Sequence, residues 1–232
     1  MISFRERIDL AAKWIKNSKY LIAFTGAGIS TESGLPDYRG IWRSETNKIT
    51  LYNALSVNWK NTKPNDAHMA LVKLQELNLL KFLISQNIDN LHLTSGIHDE
   101  LIAELHGNIT LARCQQCGKK YAKTWDRPSK CFCGGSIKSS IIKFDEELPK
   151  EELNKSFNHT KLADVFLMVG SSLLTQPAGR IPRIAKKNGA RLIFVNRGET
   201  ALDRLADLRF NENASKVLNE IIKKIVKKEK SQ

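Results

Sequence analysis

Short, uninterrupted apolar segments alternate along this chain with amphipathic segments of helical periodicity. The predicted strands are residues 20–24, 82–84, 101–105, 109–112, 165–169 and 192–195. The predicted helices are residues 4–17, 65–77, 178–187 and 214–228. Apolar strands that alternate with helices indicate an α/β fold, in which helices cover both faces of a parallel sheet.

Polar turns follow several of the predicted strands. These turns are Gly26–Gly28, Gln86–Asp89, Gly170–Ser172 and Asn196. Ligands of parallel sheets bind beyond the carboxyl ends of the strands, so we expect the turns to converge on one cleft. The glycines of the first turn would let backbone N–H groups approach a phosphate. Taken alone, such a turn fits a tight strand-to-helix bend equally well.

The residues after the glycine-rich turn disfavour an ordinary dehydrogenase. A dinucleotide fingerprint places an acidic residue at the end of the second strand, about 20 residues beyond the glycines. Here that region is Arg43–Asn47, and no predicted strand precedes it. The intervening loop instead offers Arg39 for a phosphate and Tyr38 for a ring. A polar surface loop is the simpler interpretation of this segment on its own.

All four cysteines lie in one short segment. They form the pairs Cys114-x-x-Cys117 and Cys131-x-Cys133, with thirteen residues between the pairs. Clustered cysteines in a chain expected to be cytosolic favour a metal over a disulfide framework. Two pairs of thiolates suit one tetrahedral Zn²⁺, and four protein ligands indicate a structural ion. An iron–sulfur cluster is the minor alternative.

Composition narrows the class of protein only a little. The hydrophobic fraction of 41% and the charged fraction of 26% are those of a globular protein, which excludes a disordered chain. The apolar runs are too short for a membrane span and the segment Met1–Glu6 lacks an apolar leader, so we expect a cytoplasmic protein. For the net charge of +13, a solvated basic face is favoured over a nucleic-acid footprint.

His106 is the histidine with the strongest functional context. It follows a predicted strand and lies near the expected cleft. An imidazole titrates near neutral pH and can accept a proton from a hydroxyl group. A lone histidine is more often structural, and His92 is expected to pack within a helix. The remaining histidines lack comparable context.

Taken together, these segments resemble the sirtuin (Sir2-like) family of NAD-dependent protein deacylases, especially its compact prokaryotic members. The matching segments, in the family's order, are Gly26–Ser30, Gly34–Arg39, Gln86–His92, His106–Gly107, the cysteine pairs, Gly170–Leu173 and Val195–Asn196. They extend over almost the whole chain, and their conjunction is far more specific than any single motif.

The resemblance implies a Rossmann-like, doubly wound parallel sheet with a smaller inserted zinc-binding lobe. The Rossmann-like domain would comprise residues 1–36, 64–107 and 141–232. A cofactor-loop and helical insertion would occupy residues 37–63, and the zinc-binding insertion residues 108–140. The implied ligands of the structural Zn²⁺ are Cys114, Cys117, Cys131 and Cys133. The chain is shorter than the family pattern between Trp42 and Tyr52, so we expect a shortened helical cofactor-binding segment.

The resemblance also assigns roles to individual residues. The implied NAD-binding residues are Gly26, Ala27, Thr31, Asp37, Tyr38, Arg39, Gln86, Asn87, Ile88, Asp89, Gly170, Ser171, Ser172 and Asn196. His106 would be the general base, with Asn87 as a second catalytic residue. Ile142 and Phe144 would line the tunnel for the acyl-lysine side chain.

The implied activity is NAD-dependent protein-lysine deacetylation. NAD would be consumed as a co-substrate, and the products would be deacylated lysine, nicotinamide and O-acetyl-ADP-ribose. The implied partners are NAD and an acyl-lysine protein or peptide, with acidic or DNA-associated proteins as candidate targets and no membrane. Two alternatives stay open: protein ADP-ribosyl transfer in the same cleft, and a non-enzymatic NAD-sensing or nucleic-acid-associated module.

The acyl preference rests on one short segment. Family members that remove acidic acyl groups carry a Tyr and, three residues later, an Arg. Here Tyr52 is followed at that spacing by Leu55. Without a cation, a succinyl carboxylate would be buried unpaired, which is costly. We therefore expect neutral acyl groups, acetyl first.

Overall fold

A computed structural model describes residues 2–37, 61–143 and 146–227. The strands are β1 (Leu21–Thr25), β2 (Leu80–Ser85), β3 (Ile102–Glu104), β4 (Leu111–Cys114), β5 (Lys120–Ala122), β6 (Ile137–Ser139), β7 (Val165–Val169), β8 (Arg191–Val195) and β9 (Leu208–Phe210). The α-helices are α1 (Phe4–Lys16), α2 (Asp66–Glu76), α3 (Leu91–Ser95), α4 (Lys150–Leu162), α5 (Ile181–Lys187) and α6 (Ala214–Lys227).

The described strands form one large and one small sheet. The large sheet is parallel and six-stranded, with the order β3–β2–β1–β7–β8–β9. This order is that of a doubly wound sheet and confirms the predicted fold class. The direction of winding reverses between β1 and β7, so the carboxyl ends of these two strands flank the crevice in which such sheets bind ligands.

Alternating residues of the central strands build a separate core on each face of the large sheet. In β1, Leu21 and Ala23 face the side covered by α1, α2 and α6, whereas Ile22 and Phe24 face the side covered by α4 and α5. All four of these side chains are fully buried. Because both faces are apolar, the strands appear in the sequence as continuous apolar runs, which is why they were predictable.

Two of the predicted helices, α1 and α2, begin at polar capping residues. Ser3 accepts a hydrogen bond from the Glu6 amide at 3.2 Å, while the Glu6 carboxylate accepts one from the Ser3 amide at 2.7 Å. This reciprocal capping box starts α1. The side chain of Asn65 accepts hydrogen bonds from two amides of the first turn of α2.

His92 lies in α3 and is buried, as expected for a packing residue. Its Nε2 is 2.8 Å from Thr25 Oγ1.

The small sheet is antiparallel, has the order β5–β4–β6 and lies between residues 108 and 140. Its first strand, β4, starts at Leu111, later than the predicted 109–112. The side-chain oxygen Oδ1 of Asn108 accepts hydrogen bonds from the amide and the hydroxyl of Thr110, and these bonds bend the chain before the strand begins. The chain enters this lobe at Asn108 and returns at Ser140. The Asn108 amide donates to Ser140 Oγ at 2.9 Å, so the two crossings are joined.

Four of these helices and strands were not predicted from the pattern: α4, β5, β6 and β9. Helix α4 is rich in charged residues, and it packs on the sheet mainly through Leu153 and Phe157. Strand β9 has only three residues, too few for a clear periodicity. No helix within the described ranges is both long enough and apolar enough to cross a membrane.

The turns that follow β1 and β7 are in direct backbone contact. The Gly28 amide donates to Gly170 O at 2.8 Å. A Cβ atom on Gly28 would lie 2.8 Å from that oxygen, and a Cβ on Gly170 would lie 2.2 Å from Ile29 N. Gly170 also has a φ of +68°, in the left-handed region that favours glycine. Side chains at these positions would force the two turns apart.

Replacing Gly170 by Ala should therefore lower the free energy of unfolding by about 3 kcal/mol or more, since overlap adds to backbone strain. Gly189→Ala is the matched control, because Gly189 has a φ of +91° but no atom within 4 Å of its Cβ position. That variant should lose only about 1–2 kcal/mol from the dihedral itself. Denaturant titration of both variants measures the difference, and equal losses would contradict the packing argument.

Candidate active site

A cavity of about 120 Å³ opens at the carboxyl edge of the large sheet. Predicted site residues from several separate turns line it: Gly26, Ala27, Asp37, Gln86, His106, Gly170, Ser171, Ser172 and Asn196. Gly28 and Thr175 also contribute to the lining. The tertiary structure thus brings together the turns that follow β1, β2, β3, β7 and β8, as expected for polar turns at one edge of a parallel sheet.

The glycines of the first turn were expected to let backbone N–H groups approach a phosphate, but their amides are used within the protein. Their amides do not point at a ligand, because Gly26 N–H donates to Val169 O at 3.1 Å and Gly28 N–H donates to Gly170 O at 2.8 Å. The glycines instead allow close packing of the two turns. Ala27, between them, lines the cavity at the start of a 3₁₀ helix that covers Ala27–Ser33.

Gln86 connects three of the converging turns. Its amide donates to Thr25 O at 2.9 Å, and its side-chain oxygen Oε1 accepts a hydrogen bond from Ser171 Oγ at 2.7 Å. Its carbonyl oxygen lies 2.8 Å from His106 Nδ1. A carbonyl oxygen can only accept, so Nδ1 of His106 carries the proton and the lone pair of the neutral ring is on Nε2.

The environment of His106 suits a general base. Burial lowers the pKa of His106 below its ordinary 6.5, and the hydrogen bond to Gln86 O opposes that shift. The ring is therefore neutral at physiological pH and able to accept a proton. The Gln86 carbonyl fixes its tautomer and orientation, in the same way that a second group orients the imidazole in other acid–base sites.

Asn87 and Asp89 lie in the loop that follows β2; both are buried and neither lines the cavity. The hydroxyl of Ser30 donates to Asp89 Oδ2 at 2.6 Å and accepts from Asn87 Nδ2 at 3.2 Å. The Leu91 amide donates to Asp89 Oδ1 at 2.9 Å. Burial raises the pKa of Asp89, and these hydrogen bonds oppose the rise. Asn87 Oδ1 is buried and has no hydrogen-bond partner among the described residues.

The other predicted site residues have different positions. The Thr31 hydroxyl donates to Gly28 O at 2.9 Å, and the carbonyl oxygen of Ile88 accepts from the amide of Ile109 at 2.8 Å. Asn196 lines the cavity, and its Nδ2 donates to Gly198 O at 2.7 Å. The amide of Ile142 donates to His106 O at 3.0 Å. Tyr38, Arg39 and Phe144, like Tyr52 and Leu55, lie outside the described residues.

Two site residues were missed in the sequence. Ser30 was recognised only as part of the glycine-rich motif, although its hydroxyl joins Asn87 to Asp89. A polar residue next to the apolar Ile29 was its only signal. Thr175 lines the cavity from the loop after β7, and no pattern in that irregular segment singles it out.

The cysteine cluster fits a tetrahedral zinc site. The four Sγ atoms lie within 4.8 Å of one another, with 3.5 Å between Cys114 and Cys133 and 3.6 Å between Cys117 and Cys131. Ligand atoms about 2.3 Å from one ion are separated by about 3.8 Å in a regular tetrahedron. The Tyr121 hydroxyl donates to Cys131 Sγ at 2.9 Å, and this hydrogen bond is the main cause of the lowered pKa of that thiol. A thiolate is therefore favoured at that position, as zinc requires.

Comparison with known proteins agrees with this geometry. Residues 43–177 match the model of the Sir2 family. An NAD-dependent protein deacetylase from Thermodesulfovibrio yellowstonii is 39% identical, over 99% of each chain. A solved Sir2 homologue in complex with NAD is 32% identical, with a TM-score of 0.77 over 95% of this chain and 94% of that one. A Sir2 structure with a p53 peptide and NAD⁺ is 32% identical, with a TM-score of 0.75 over 96% of this chain and 98% of that one.

The purified protein should contain about one equivalent of zinc per chain, and Cys131→Ser should lose most of it, since three thiolates hold the ion less well than four. Metal analysis by mass spectrometry measures the content. Ser129→Ala, an exposed change in the same lobe, is the control and should retain the zinc. Iron in place of zinc in the wild-type protein would contradict the assignment.

Proposed function

The chain belongs to the Sir2 family, and on that premise we propose that it catalyses the NAD-dependent deacetylation of protein lysine side chains. The products are deacylated lysine, nicotinamide and O-acetyl-ADP-ribose. One observation carries the proposal: His106, a neutral base of defined tautomer, lines the same cavity as the turns that follow β1, β7 and β8.

The residues around the cavity fit NAD. Tight packing of Gly28 against Gly170 keeps side chains out of the crevice where a dinucleotide would lie. Ser171, Ser172 and Asn196 provide polar groups on the side of β7 and β8. When bound, NAD supplies an electrophilic ribose carbon through loss of its nicotinamide group.

Asn87 and Asp89 would hold the nicotinamide end. Both are buried, and Ser30 joins their side chains, so neither can rotate freely. Asn87 Oδ1 retains an unused acceptor site among the described residues, and burial raises the pKa of Asp89. A fixed pair of polar groups of this kind orients a carboxamide, and orientation lowers the barrier of a bond-breaking step.

His106 would act on the ribose. Its Nε2 accepts a proton from a ribose hydroxyl, and the Nδ1–H bond to Gln86 O holds the ring while the positive charge develops. Ser171 in turn donates to the Gln86 side chain, so the turn after β7 steadies the residue that orients the base.

The substrate lysine would enter beside the segment 141–143. The bond from the Ile142 amide to His106 O places this segment next to the base. We expect neutral acyl groups, acetyl first, since no cation is predicted for an acidic acyl chain. The net charge of +13 supports the prediction of acidic or DNA-associated protein targets. The cytoplasmic location stays a prediction.

Incubation with NAD and an acetyl-lysine peptide should release nicotinamide, and neither reactant alone should suffice. Mass spectrometry of the peptide decides between the candidate reactions, because deacetylation removes an acetyl group whereas ADP-ribosyl transfer adds ADP-ribose. A series of acetyl, propionyl and succinyl peptides tests the acyl preference, with the succinyl peptide expected to be the poorest substrate. Absence of peptide-dependent release across the whole series would count against the proposed function.

His106→Ala should lower kcat about 10²- to 10⁴-fold, the usual contribution of a general base. The exposed His98→Ala is the matched control and should retain activity. In the wild-type protein, kcat/KM should fall as pH drops through the pKa of His106, which lies below 6.5, because only the neutral ring accepts a proton. Steady-state nicotinamide release across pH measures both effects. Full activity of the alanine variant would exclude His106 as the base.

A further inference from the structure

A buried cluster of charges joins the zinc lobe to the large sheet outside the catalytic cavity. Glu104 ends β3 and Glu152 lies in the first turn of α4, and both are buried. Lys120, on β5 of the zinc lobe, places Nζ 3.1 Å from Glu152 Oε1 and 3.9 Å from Glu104 Oε2. One ammonium group from the lobe is thus shared by two carboxylates of the large domain.

Further contacts fix Glu104 in this cluster. The amide of Glu104 donates to Glu152 Oε2 at 3.3 Å, and Glu104 Oε1 accepts from Asn108 Nδ2 at 2.6 Å. Glu104 Oε2 has no hydrogen-bond partner among the described residues. The exposed Asp99 lies 3.9 Å from Lys120 Nζ.

Two further cations are near: Arg113 is paired with Lys120 in the β4–β5 register, and Lys155, on α4, forms an ion pair with Glu151 and also interacts with the charge of Glu152. Among the described residues, Lys120 is the one cation within 4 Å of the Glu104 and Glu152 carboxylates.

Glu104 is near its midpoint of ionisation at neutral pH, mainly because it is buried. Burial raises the pKa of Glu104 to about 7. The carboxylates of Glu152 and Asp99 add to the rise, whereas Asn108 and Lys120 oppose it. The Glu104–Lys120 attraction therefore strengthens as pH increases through neutrality, because Glu104 then becomes charged.

The cluster lies beside the parts of the proposed active site that meet the substrate. Glu104 is two residues before His106 in the chain. Asn108 Nδ2, which donates to Glu104 Oε1, also donates to Asn90 Oδ1 at 2.7 Å. Asn90 is the residue that follows Asp89 in the chain. The chain returns from the zinc lobe into Ile142, whose amide bonds to His106 O. The orientation of the lobe therefore sets where this returning segment lies relative to the base.

We propose that Lys120 and Glu104 are positioning residues for the peptide substrate. The Lys120 ammonium, held between Glu104 and Glu152, fixes the zinc lobe against the sheet. It thereby fixes the segment 141–143, which is joined to His106 by the Ile142 amide and beside which the acyl-lysine would enter. This inference rests on the proposed deacetylase function. Neither residue lines the cavity, so they act through the segment 141–143 and not on the reacting atoms. Their loss should affect peptide binding more than turnover.

The first test compares Lys120→Met with Lys120→Arg and with Lys123→Met, an exposed lysine one residue beyond β5. In Lys120→Met, the KM for acetyl peptide should increase roughly tenfold, within the range found for coupled charged groups, while kcat changes less than about twofold. Lys120→Arg should restore most of the affinity, and Lys123→Met should match the wild type. An unchanged peptide KM in Lys120→Met, or a loss confined to kcat, overturns the proposal.

The second test uses Glu104→Gln, which keeps the shape of the side chain and removes its ionisation. In the wild-type protein, the peptide KM should fall as pH increases from 6 to 8, through the Glu104 pKa of about 7. In Glu104→Gln, the KM should stay high and lose this dependence, while the decrease of kcat/KM at low pH that His106 causes should remain. A variant that keeps the wild-type dependence of KM on pH refutes the role of Glu104. If Lys120→Met does not fold, the pH dependence of the peptide KM in Glu104→Gln and in the wild type tests the positioning role by itself.

Hydrogen exchange separates this proposal from the proposed function. The Ile142 amide should exchange faster in Lys120→Met than in Lys123→Met, at equal zinc content, whether or not the protein turns over peptide. If the wild type releases no nicotinamide with peptide, the deacetylase function fails, and the exchange rate alone decides the positioning role. Equal exchange rates at Ile142 in the two variants overturn it.

Discussion

The backbone contact between the turns after β1 and β7 is the constraint on which the rest of the site depends. Gly28 and Gly170 meet at distances that no side chain permits, directly above the point where the winding of the sheet reverses. The contact leaves no room for side chains at these two positions and brings Ser171 within hydrogen-bond distance of Gln86. Gln86 then orients His106. A packing requirement at two glycines is thus transmitted by hydrogen bonds to the catalytic base.

A second constraint is the pair of crossings between the two sheets. At Gly107, a Cβ atom would lie 1.9 Å from Ser140 O, so the chain can leave and re-enter the large domain in so small a space only with glycine there. The base, the entry to the zinc lobe and the returning segment at Ile142 therefore share one junction. Zinc stabilises the lobe on one side of it, and the buried charges of Glu104 and Glu152 hold Lys120 on the other.

Burial tunes the titratable groups of this region in opposite directions, as its chemistry requires. It lowers the pKa of His106, which must be neutral to accept a proton, and it raises the pKa values of Asp89 and Glu104. The physical cause is the same in each case, since a low-dielectric surrounding disfavours whichever form is charged. A site that breaks NAD at the ribose has little use for a hydride-transfer geometry, and these shifts are consistent with proton transfer instead.

The sequence by itself determined the class of fold, the polar turns that converge on the cleft and the four cysteines of the zinc site. These features are local: strand and helix periodicity, a glycine after a strand and the spacing of paired thiols are all legible within a few residues. Only the tertiary structure decided the tautomer of His106, the role of Ser30, the placement of α4 and the cluster of Glu104, Lys120 and Glu152. These four features depend on burial and on contacts between residues far apart in the chain. A local sequence pattern predicts neither burial nor such contacts.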